Sequence, residues 1–315
     1  MNTVQDSTNF EHISVLLDES IESLAIDPDG IYVDATAGGG GHSREILKAL
    51  GNNGRLIAID RDPDAISVLN ERIGHDERVT IVHDNYCNIK SILSELESPA
   101  ASGILADLGV SSYQLDNAER GFSFHNDAPL DMRMSKEGPT AADLCNSLPE
   151  KELARIIRTY GEERFASSIA ANIVRARNES PITTTLQLAD IVSRSMPAKA
   201  RRNGHPARRT FQALRIEVNG ELEKLTGSVN DMFDSLKVDG NLSVITFHSL
   251  EDRAVKQAFA KLCEGCTCPP EFPVCVCGKT PRGELNFKFK GPSPEEVEKN
   301  PRSRSAKLRS IRRLK

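Results

Sequence analysis

Short β-rich runs alternate with helical segments through the first third of the chain, and this alternation constrains the fold more than any other feature. The β-rich runs lie at residues 31–37, 55–60, 79–83 and 103–110. Helical spacing of apolar residues separates them at residues 43–50, 63–73 and 89–96. The last β-rich run is apolar almost throughout, which is typical of a strand buried on both faces of a parallel sheet. The alternation therefore predicts an α/β, doubly wound, Rossmann-like fold.

The alternation stops after Ser112 and resumes only late in the chain. Between these points the apolar spacing is helical, at residues 149–160, 163–177, 186–194 and 208–224. A β-rich run then returns, and it is followed by a helical pattern and an alternating run that predicts a final edge strand, at residues 241–247, 250–262 and 285–290. We therefore predict an all-helical domain inserted into an α/β domain, with boundaries at 1–112, 113–215 and 216–315.

Three features converge where the carboxyl ends of parallel strands meet, which is where open α/β sheets bind ligands. Gly38 to Gly41 follow the first strand, and glycine lets the backbone approach a ligand closely. Asp60 ends the second strand about 20 residues further on, where a carboxylate accepts ribose hydroxyls. Asp107 ends the fourth strand, next to the expected reactive centre. Together these residues predict a nucleotide-like cofactor.

Two other nucleotide-binding classes agree less well with this loop. The dinucleotide motif G-x-G-x-x-G requires a glycine at position 43, where this chain has Ser43. A P-loop requires Gly-Lys-Ser/Thr after the glycines, and none follows. Asp34, an acid before the loop, favours a ligand with a cationic amino group. The methionine part of S-adenosylmethionine has such a group, and the pyrophosphate of NAD does not.

The net charge of −5 conceals two strongly basic segments. No acid lies between Asp190 and Glu217, where the basic residues are Arg194, Lys199, Arg201, Arg202, Arg208, Arg209 and Arg215. The tail after Asn300 also lacks acids and carries Arg302, Arg304, Lys307, Arg309, Arg312, Arg313 and Lys315. One such segment alone is usually a solvated charged face. Two of them in an acidic protein favour RNA as a partner, bound through its phosphates.

The composition indicates a globular protein of the cytoplasm. Hydrophobic residues make up 38% and charged residues 27% of the chain, which argues against disorder. No apolar run approaches the roughly 20 residues that span a bilayer, so no membrane is expected. Residues 1–14 lack the basic and apolar regions of a signal peptide. Seven cysteines without such a signal indicate a reducing compartment.

Five of the cysteines are clustered in the pattern C-x2-C-x-C-x6-C-x-C, at Cys263, Cys266, Cys268, Cys275 and Cys277. Clusters of this kind often bind zinc as thiolates. The spacing is not that of a standard paired zinc ribbon, however, and no histidine lies nearby. Two interpretations stay open, a zinc site or a loop of reduced and redox-sensitive cysteines. No metal is assigned to the active site.

Many short motifs along the chain resemble those of the bacterial 16S ribosomal RNA (cytosine-N4)-methyltransferases that act on a decoding-region cytidine. The matching stretches are residues 12–17, 39–43, 58–63, 107–112, 114–116, 119–124, 129–133, 209–216, 247–253 and 300–305. They span almost the whole chain in order. The resemblance implies a class I methyltransferase sheet with a helical insertion, which agrees with the break after Ser112.

The resemblance also implies an activity, a cofactor and the residues that bind it. The activity is methylation of a cytidine N4 amine in 16S ribosomal RNA of the small ribosomal subunit, with S-adenosylmethionine as methyl donor. The implied cofactor contacts are Gly40, Gly41, His42, Asp60, Tyr86, Asp107 and Gln114. Tyr86 is expected to pack on the adenine ring or to be an ordinary buried tyrosine. A non-catalytic RNA-binding or ribosome-assembly factor and an NAD-dependent oxidoreductase are the alternatives.

Asp107 is the candidate catalytic residue. The lone pair of a cytosine amine is delocalised into the ring, so its attack requires acceptors for its N–H groups and in-line positioning. Amino-methyltransferases commonly carry Asp/Asn-Pro-Pro-aromatic at this position, whereas this chain has Asp-Leu-Gly-Val. Asp107 is therefore expected to act either as that acceptor or mainly as a cofactor ligand.

Further residues are expected close to the cofactor and the reacting amine. Tyr113, Phe122 and Phe124 are candidates for stacking on the base, with core packing as the alternative for the phenylalanines. His248 and the pair Glu251-Asp252 are expected at the end of the fifth strand. A structural role for His248 and a helix-capping role for Ser249 are the alternatives there.

Overall fold

The computed structural model describes residues 14–202, 204–269 and 274–315 of the chain. Residues 1–13 lie outside the described residues. They include His12 and Ile13, which begin the first family motif, and all but the last residue of the segment in which no signal peptide is expected. The side chain of Arg202 in the first basic segment is also outside them.

Seven strands form one sheet within the described residues. They are β1 Ile31–Asp34, β2 Arg55–Asp60, β3 Val79–His83, β4 Ala101–Asp107, β5 Leu236–Thr246, β6 Gly283–Lys290 and β7 Lys307–Arg313. The strand order is β3-β2-β1-β4-β5-β7-β6. All neighbouring pairs from β3 to β5 are parallel, and β7 is antiparallel to both β5 and β6. The bounds predicted for β2 and β3 are confirmed, and β6 is the predicted edge strand.

Helices connect the strands and fill the long break after β4. They are α1 Leu17–Leu24, α2 Gly41–Ala49, α3 Pro63–Ile73, α4 Ile89–Glu95, α5 Ser112–Asp116, α6 Ala141–Ser147, α7 Glu150–Gly161, α8 Ala166–Glu179, α9 Thr185–Arg194, α10 Arg208–Asn219, α11 Leu225–Asp234, α12 Ser249–Leu262 and α13 Pro294–Lys299. The helix predicted over 208–224 ends at Asn219 because Gly220 caps it with a φ of 59°. No described helix has both the length and the apolar content that a bilayer crossing demands.

Both faces of the sheet are covered, as a doubly wound fold requires. Helices α4, α11 and α12 bury their apolar residues in one core cluster with β4 and β5. Helices α1, α2 and α3 form a second cluster on β1 and β2. Aspartates at the ends of β1, β2 and β4 therefore lie along one edge of a sheet whose packing fixes its strands on both sides.

The segment between β4 and α11 builds a separate apolar cluster from helices. Its buried members run from Phe122 to Leu214, and α6 to α10 contribute most of them. Arg120 attaches this region to the sheet, because its buried guanidinium donates to Asp62 Oδ2 at 2.8 Å and to Asp64 Oδ2 at 2.9 Å. The other guanidinium nitrogen of Arg120 donates to the carbonyls of residues 133 and 134.

The C-terminal segment differs from the predicted basic tail. Residues 307–313 form β7, which lies between β5 and β6 rather than in solvent. The strand buries Leu308 and Ile311, and its charges are matched by acids: Asp252 accepts from Lys307 at 2.9 Å and from Arg309 at 2.7 Å. The prediction failed because the sequence shows the charges but not their distant partners.

Truncation of Ile311 tests whether this segment is a core strand. Its side chain is fully buried, so Ile311→Ala is expected to lower the free energy of unfolding by about 2–5 kcal/mol. Leu314→Ala is the control, because that side chain is 38% exposed and its loss costs much less. Urea unfolding followed by circular dichroism measures both. Equal, small losses in the two variants would contradict the placement of β7.

Candidate active site

The glycine loop connects β1 to α2 at the carboxyl edge of the sheet. Gly40 has a φ of 79°, a conformation that side chains rarely adopt. Gly41 begins α2 with no room for a side chain, since a Cβ there would lie 1.8 Å from Ser14 Oγ. The sequence needs glycine at these two positions for different reasons, backbone conformation at one and close approach at the other. The first N–H groups of a helix have no partners within the helix, and the loop brings this end of α2 to the carboxyl edge of the sheet.

Asp60 holds the loop against the end of β2. Its carboxylate accepts the N–H of Gly38 at 2.7 Å on one oxygen and the N–H of Asp62 at 2.8 Å on the other. Burial raises the pKa of Asp60 above its ordinary value, although both backbone bonds act in the opposite direction. Each oxygen has a further lone pair, so the carboxylate can accept ligand hydroxyls as well.

Asp34 lies at the end of β1 and is almost completely buried. Its carboxylate accepts the hydroxyl of Ser43 at 2.6 Å and the N–H of Thr36 at 3.3 Å. Burial raises the pKa of Asp34 to about 6, against these hydrogen bonds. The residue therefore changes charge close to neutral pH, and a cation bound near it would favour its charged form.

Asp107 ends β4 and has an unsatisfied oxygen. Its Oδ1 is buried and has no hydrogen-bond partner among the described residues. Its Oδ2 lies 3.9 Å from Nδ1 of His42, and its backbone N–H donates to Thr36 Oγ1 at 2.5 Å. Burial, followed by the charges of Asp34 and Glu251, raises the pKa of Asp107 well above its ordinary value. Buried polar atoms without partners are rare, so this one indicates a place for a ligand.

His248 and Glu251 lie after β5, next to the loop that follows β4. His248 is the N-cap of α12, where its Nδ1 accepts the N–H of Glu251 at 3.3 Å. Nε2 of His248 is 3.0 Å from Glu251 Oε1, in an orientation that makes no hydrogen bond. The capping residue is therefore His248, and Ser249 instead donates to Glu162 at 2.7 Å. Asp252 accepts hydrogen bonds from Lys307 and Arg309 of β7.

Glu251 remains charged despite its burial. Burial alone raises its pKa, but His248, Arg215 and the N–H of Phe247 outweigh burial and lower it. Arg215 is itself buried, and it binds Glu221 at 2.9 Å. The sequence analysis did not identify Arg215 or Glu221 as part of this group, since only the fold brings α10 beside the start of α12.

A pocket of about 760 Å³ opens between the helical region and the ends of β5 and β7. Its walls carry cationic and imidazole groups, from His205, Arg208, Arg209, His248 and Lys307. The cofactor loop is not part of its lining. Phe247, which lines the pocket, lies 3.7 Å from where a Cβ on Gly109 would be, two residues after Asp107. The pocket therefore adjoins the loop that follows β4, and the pocket and the carboxyl edge beside it are called the cleft below.

The predicted site residues fall into two groups. Gly40, Gly41, His42, Asp60 and Asp107 lie together at the carboxyl edge, and Nε2 of His42 is 3.1 Å from the carbonyl of residue 15. The side chains of Tyr86 and Gln114 form the second group and contact other residues of the protein. Tyr86 packs against the core beside α4, and burial raises its pKa. Gln114 caps α5 with Ser111 and donates to Asp62 at 2.7 Å.

The aromatic candidates have three different environments. Phe122 is buried in the helical core. Phe124 stacks on His205, with ring centroids 4.3 Å apart, at the wall of the pocket. Tyr113 is 49% exposed. Phe124 thus contacts a residue that lines the pocket, and Tyr113 is the most exposed of the three rings.

The basic segments contribute unequally to the surface of the cleft. Arg194 is paired with Asp190, Arg215 is buried, and Arg302 is paired with Asp116. Arg208 and Arg209 are exposed and line the pocket, as does Lys307. The candidate phosphate contacts are therefore fewer than the sequence analysis expected, and they come mainly from the start of α10.

The strand order of the sheet is that of a Rossmann-like methyltransferase. The glycine loop after β1 and the acids that end β2 and β4 agree with this class of protein. A profile of the MraW methylase family matches residues 9–314. The chain belongs to the MraW methylase family. This membership confirms the family resemblance, the fold class, the methyltransferase activity and S-adenosylmethionine as the cofactor.

The relatives cover nearly the whole chain. Ribosomal RNA small subunit methyltransferase H of Clostridium botulinum (strain Loch Maree / Type A3) is 56% identical over 307 residues, 97% of this chain and 99% of the relative. The protein of the same name from Lachnospira eligens is 54% identical over 309 residues, 97% and 98% of the two chains. A solved rRNA methylase from Streptococcus thermophilus is 12% identical, with a TM-score of 0.40 over 95% of this chain and 93% of that one.

Protonation of Asp34 is expected to make cofactor binding depend on pH. A cationic amino group favours the carboxylate, so affinity for S-adenosylmethionine is full above the pKa of about 6 and falls as the pH drops through it. Between pH 7 and pH 5 the loss is about tenfold for one such group. Isothermal titration calorimetry at both pH values measures it. Asp34→Asn should remove this tenfold difference, whereas Asp29→Asn, at an exposed position, should retain it. A wild-type affinity equal at both pH values would contradict the assignment.

Proposed function

We propose that this chain transfers a methyl group from S-adenosylmethionine to the N4 amine of a cytidine in 16S ribosomal RNA, in the decoding region of the small ribosomal subunit. The observation that carries the proposal is the buried, unpartnered Oδ1 of Asp107 at the carboxyl end of β4. The names of the relatives, which are ribosomal RNA small subunit methyltransferases, support the class of substrate. The expected cytoplasmic location agrees with that substrate.

The cofactor site consists of the glycine loop and the acids beside it. Gly40 and Gly41 let the cofactor lie against the backbone, and Asp60 accepts the ribose hydroxyls with lone pairs that the loop leaves unused. His42 forms the wall between the loop and Asp107. Tyr86 flanks the adenine, and Gln114 acts through Asp62 by fixing the turn that follows Asp60. When bound, S-adenosylmethionine supplies an electrophilic methyl group on a positively charged sulfur.

Asp107 acts on the amine that is methylated. Its free Oδ1 accepts an N–H of the cytosine amine, which lets the nitrogen lone pair leave conjugation with the ring and point at the methyl group. Burial and the neighbouring acids Asp34 and Glu251 hold the pKa of this carboxyl high. A sulfonium cation beside it opposes that effect and favours the carboxylate form that accepts the hydrogen bond.

The RNA is bound by the pocket on the helical side of the cleft. Arg208 and Arg209 contact phosphates there, and Phe124 with His205 offers a stacked aromatic surface beside them. The pocket volume of about 760 Å³ is large enough for a nucleotide that has left its stack. On this basis we assign residues 113–215 as a substrate-recognition domain, flanked by the two parts of the methyltransferase core at 1–112 and 216–315.

The decisive experiment measures label transfer from S-adenosylmethionine to isolated small ribosomal subunits and to naked 16S RNA, with nucleoside mass spectrometry of the product. The wild type is expected to produce N4-methylcytidine. Asp107→Asn is expected to lower kcat by about 100-fold or more, because the lost acceptor acts on the amine in the transition state, and to weaken the Kd for S-adenosylmethionine by a smaller factor, because a charge beside the sulfonium is also lost. Asp127→Asn, at an exposed position, is the matched control.

Three outcomes would change the proposal. A weaker Kd with unchanged kcat would make Asp107 a cofactor ligand only. A different methylated nucleoside would overturn the N4 assignment. Binding to subunits without any label transfer would instead support a non-catalytic assembly factor.

Salt dependence tests the pocket as the RNA-binding surface. Arg208→Gln is expected to weaken RNA binding at all sequences and to reduce the slope of log Kd against log salt by about 0.7–1, since one phosphate contact is lost. Arg194→Gln should leave the slope unchanged, because Asp190 already neutralises that side chain. Fluorescence anisotropy with a labelled RNA fragment over a range of salt measures both. Equal slopes in the two variants would exclude Arg208 from the interface.

A further inference from the structure

Four cysteine thiols converge in the loop between α12 and β6, outside the cofactor site and the pocket. The Sγ atom of Cys275 lies 3.3 Å from that of Cys266, 4.0 Å from that of Cys268 and 3.6 Å from that of Cys277. The Sγ atoms of Cys277 and Cys266 are 3.7 Å apart. All four sulfurs lie within 4.8 Å of one another.

These separations are those of a tetrahedral metal site. Four thiolates at the usual zinc–sulfur distance of about 2.3 Å have their sulfurs about 3.8 Å apart. The measured distances, 3.3 to 4.0 Å, lie on both sides of this value. Disulfides would instead bring sulfurs together in two pairs at about 2.05 Å and leave the pairs independent of each other. Here Cys275 is near three other sulfurs at once.

The backbone around the sulfurs supports thiolates. The N–H of Cys268 points at Cys266 Sγ at 3.4 Å, and the N–H of Val276 points at Cys268 Sγ at 3.3 Å. N–H groups directed at sulfur stabilise its negative form, which is the form that binds metals. Cys263 does not take part. It follows the last turn of α12, is half-buried, and packs against the sheet core.

We propose that Cys266, Cys268, Cys275 and Cys277 bind one Zn²⁺ as four thiolates. Binding forms four zinc–sulfur bonds and releases the protons of the thiols to solvent, with no change of oxidation state. All four ligands come from the protein, so no position stays open for water or substrate, and the site is structural rather than catalytic.

The place of the site in the fold agrees with a structural role. Helix α12 runs away from the carboxyl edge, and β6 begins beside Arg313 at the end of β7, so the loop lies at the opposite edge of the sheet from Asp107. The loop is closed at its base, where the N–H of Arg282 donates to the carbonyl of Leu262 at 2.9 Å. Its outer part has little core of its own, since Val274 and Val276 are 70% and 74% exposed. Zinc supplies the stabilisation that apolar packing does not.

Elemental analysis of the full-length protein tests the site directly. The protein is purified under reducing conditions without chelators and analysed by inductively coupled plasma mass spectrometry. We expect about one zinc per chain in the wild type and in Cys263→Ser, the control from the same segment. Cys275→Ser is expected to lose most of the metal, because this sulfur is close to all three others. Zinc absent from the wild type, or retained equally in Cys275→Ser, would overturn the proposal.

Cobalt provides a readout that does not depend on the folding of a variant. The metal of the wild-type chain is removed by a chelator and replaced with Co²⁺ under argon. Tetrahedral cobalt with four thiolates has strong thiolate-to-metal charge-transfer and visible d–d absorption, and we expect saturation at one Co²⁺ per chain. Zinc should then displace the cobalt and remove the absorption. Weak, octahedral-type absorption would overturn the proposal, and so would an intact mass that shows two disulfides in protein kept reduced.

The affinity for S-adenosylmethionine separates this inference from the proposed function. Because the cluster and the cofactor cleft lie at opposite edges of the sheet, the chelated wild type is expected to bind the cofactor with an affinity within about threefold of the zinc-loaded protein. Limited proteolysis between α12 and β6 should become faster in the chelated form. Equal cleavage rates with and without zinc would show that the metal does not hold this loop.

Discussion

Three carboxyl groups, one buried and two half-buried, lie at one edge of the sheet and are the constraint on which the rest of this structure depends. Asp34, Asp60 and Asp107 end adjacent strands, and burial raises the pKa of each. Carboxylates in such a place are unfavourable unless donors or cations stabilise them. Two of the three receive backbone N–H groups from the glycine loop or its neighbours, and Asp107 keeps one oxygen without a partner. The edge is thus prepared for a positively charged ligand before that ligand arrives.

The same edge also joins the two apolar cores of the chain. Arg120 carries a charge from the helical region into the turn after β2, where Asp62 accepts hydrogen bonds from both Arg120 and Gln114. The backbone N–H of Asp62 also donates to Asp60, which holds the cofactor loop. The position of the helical region and the shape of the cofactor loop therefore depend on one another. On the other side of the cleft, Arg215 links α10 to the start of α12 through Glu221 and Glu251. The pocket is lined both by the helical region and by the residues at the ends of β5 and β7.

Much of the sheet was predictable because β2 and β4 are buried on both faces, and the bounds of β2, β3 and α3 came directly from the apolar pattern. Asp60 and Asp107 were predictable for the same reason, since each ends such a strand. The buried ion pairs were not, because Arg120 and Asp62 lie 58 positions apart and nothing local marks them as partners. Strand β7 was mistaken for a basic tail since Asp252, which matches its charges, lies 55 positions from Lys307.

The place of β7 has a consequence for how the two ends of the sheet depend on one another. Strands β5 and β6 are not sheet neighbours, because β7 lies between them and is antiparallel to both. Strand β6 therefore joins the sheet only through β7. The same strand carries Lys307 into the wall of the pocket. A change that loosens the pairing of β7 with β5 would thus detach the outermost strand and alter the shape of the pocket at the same time.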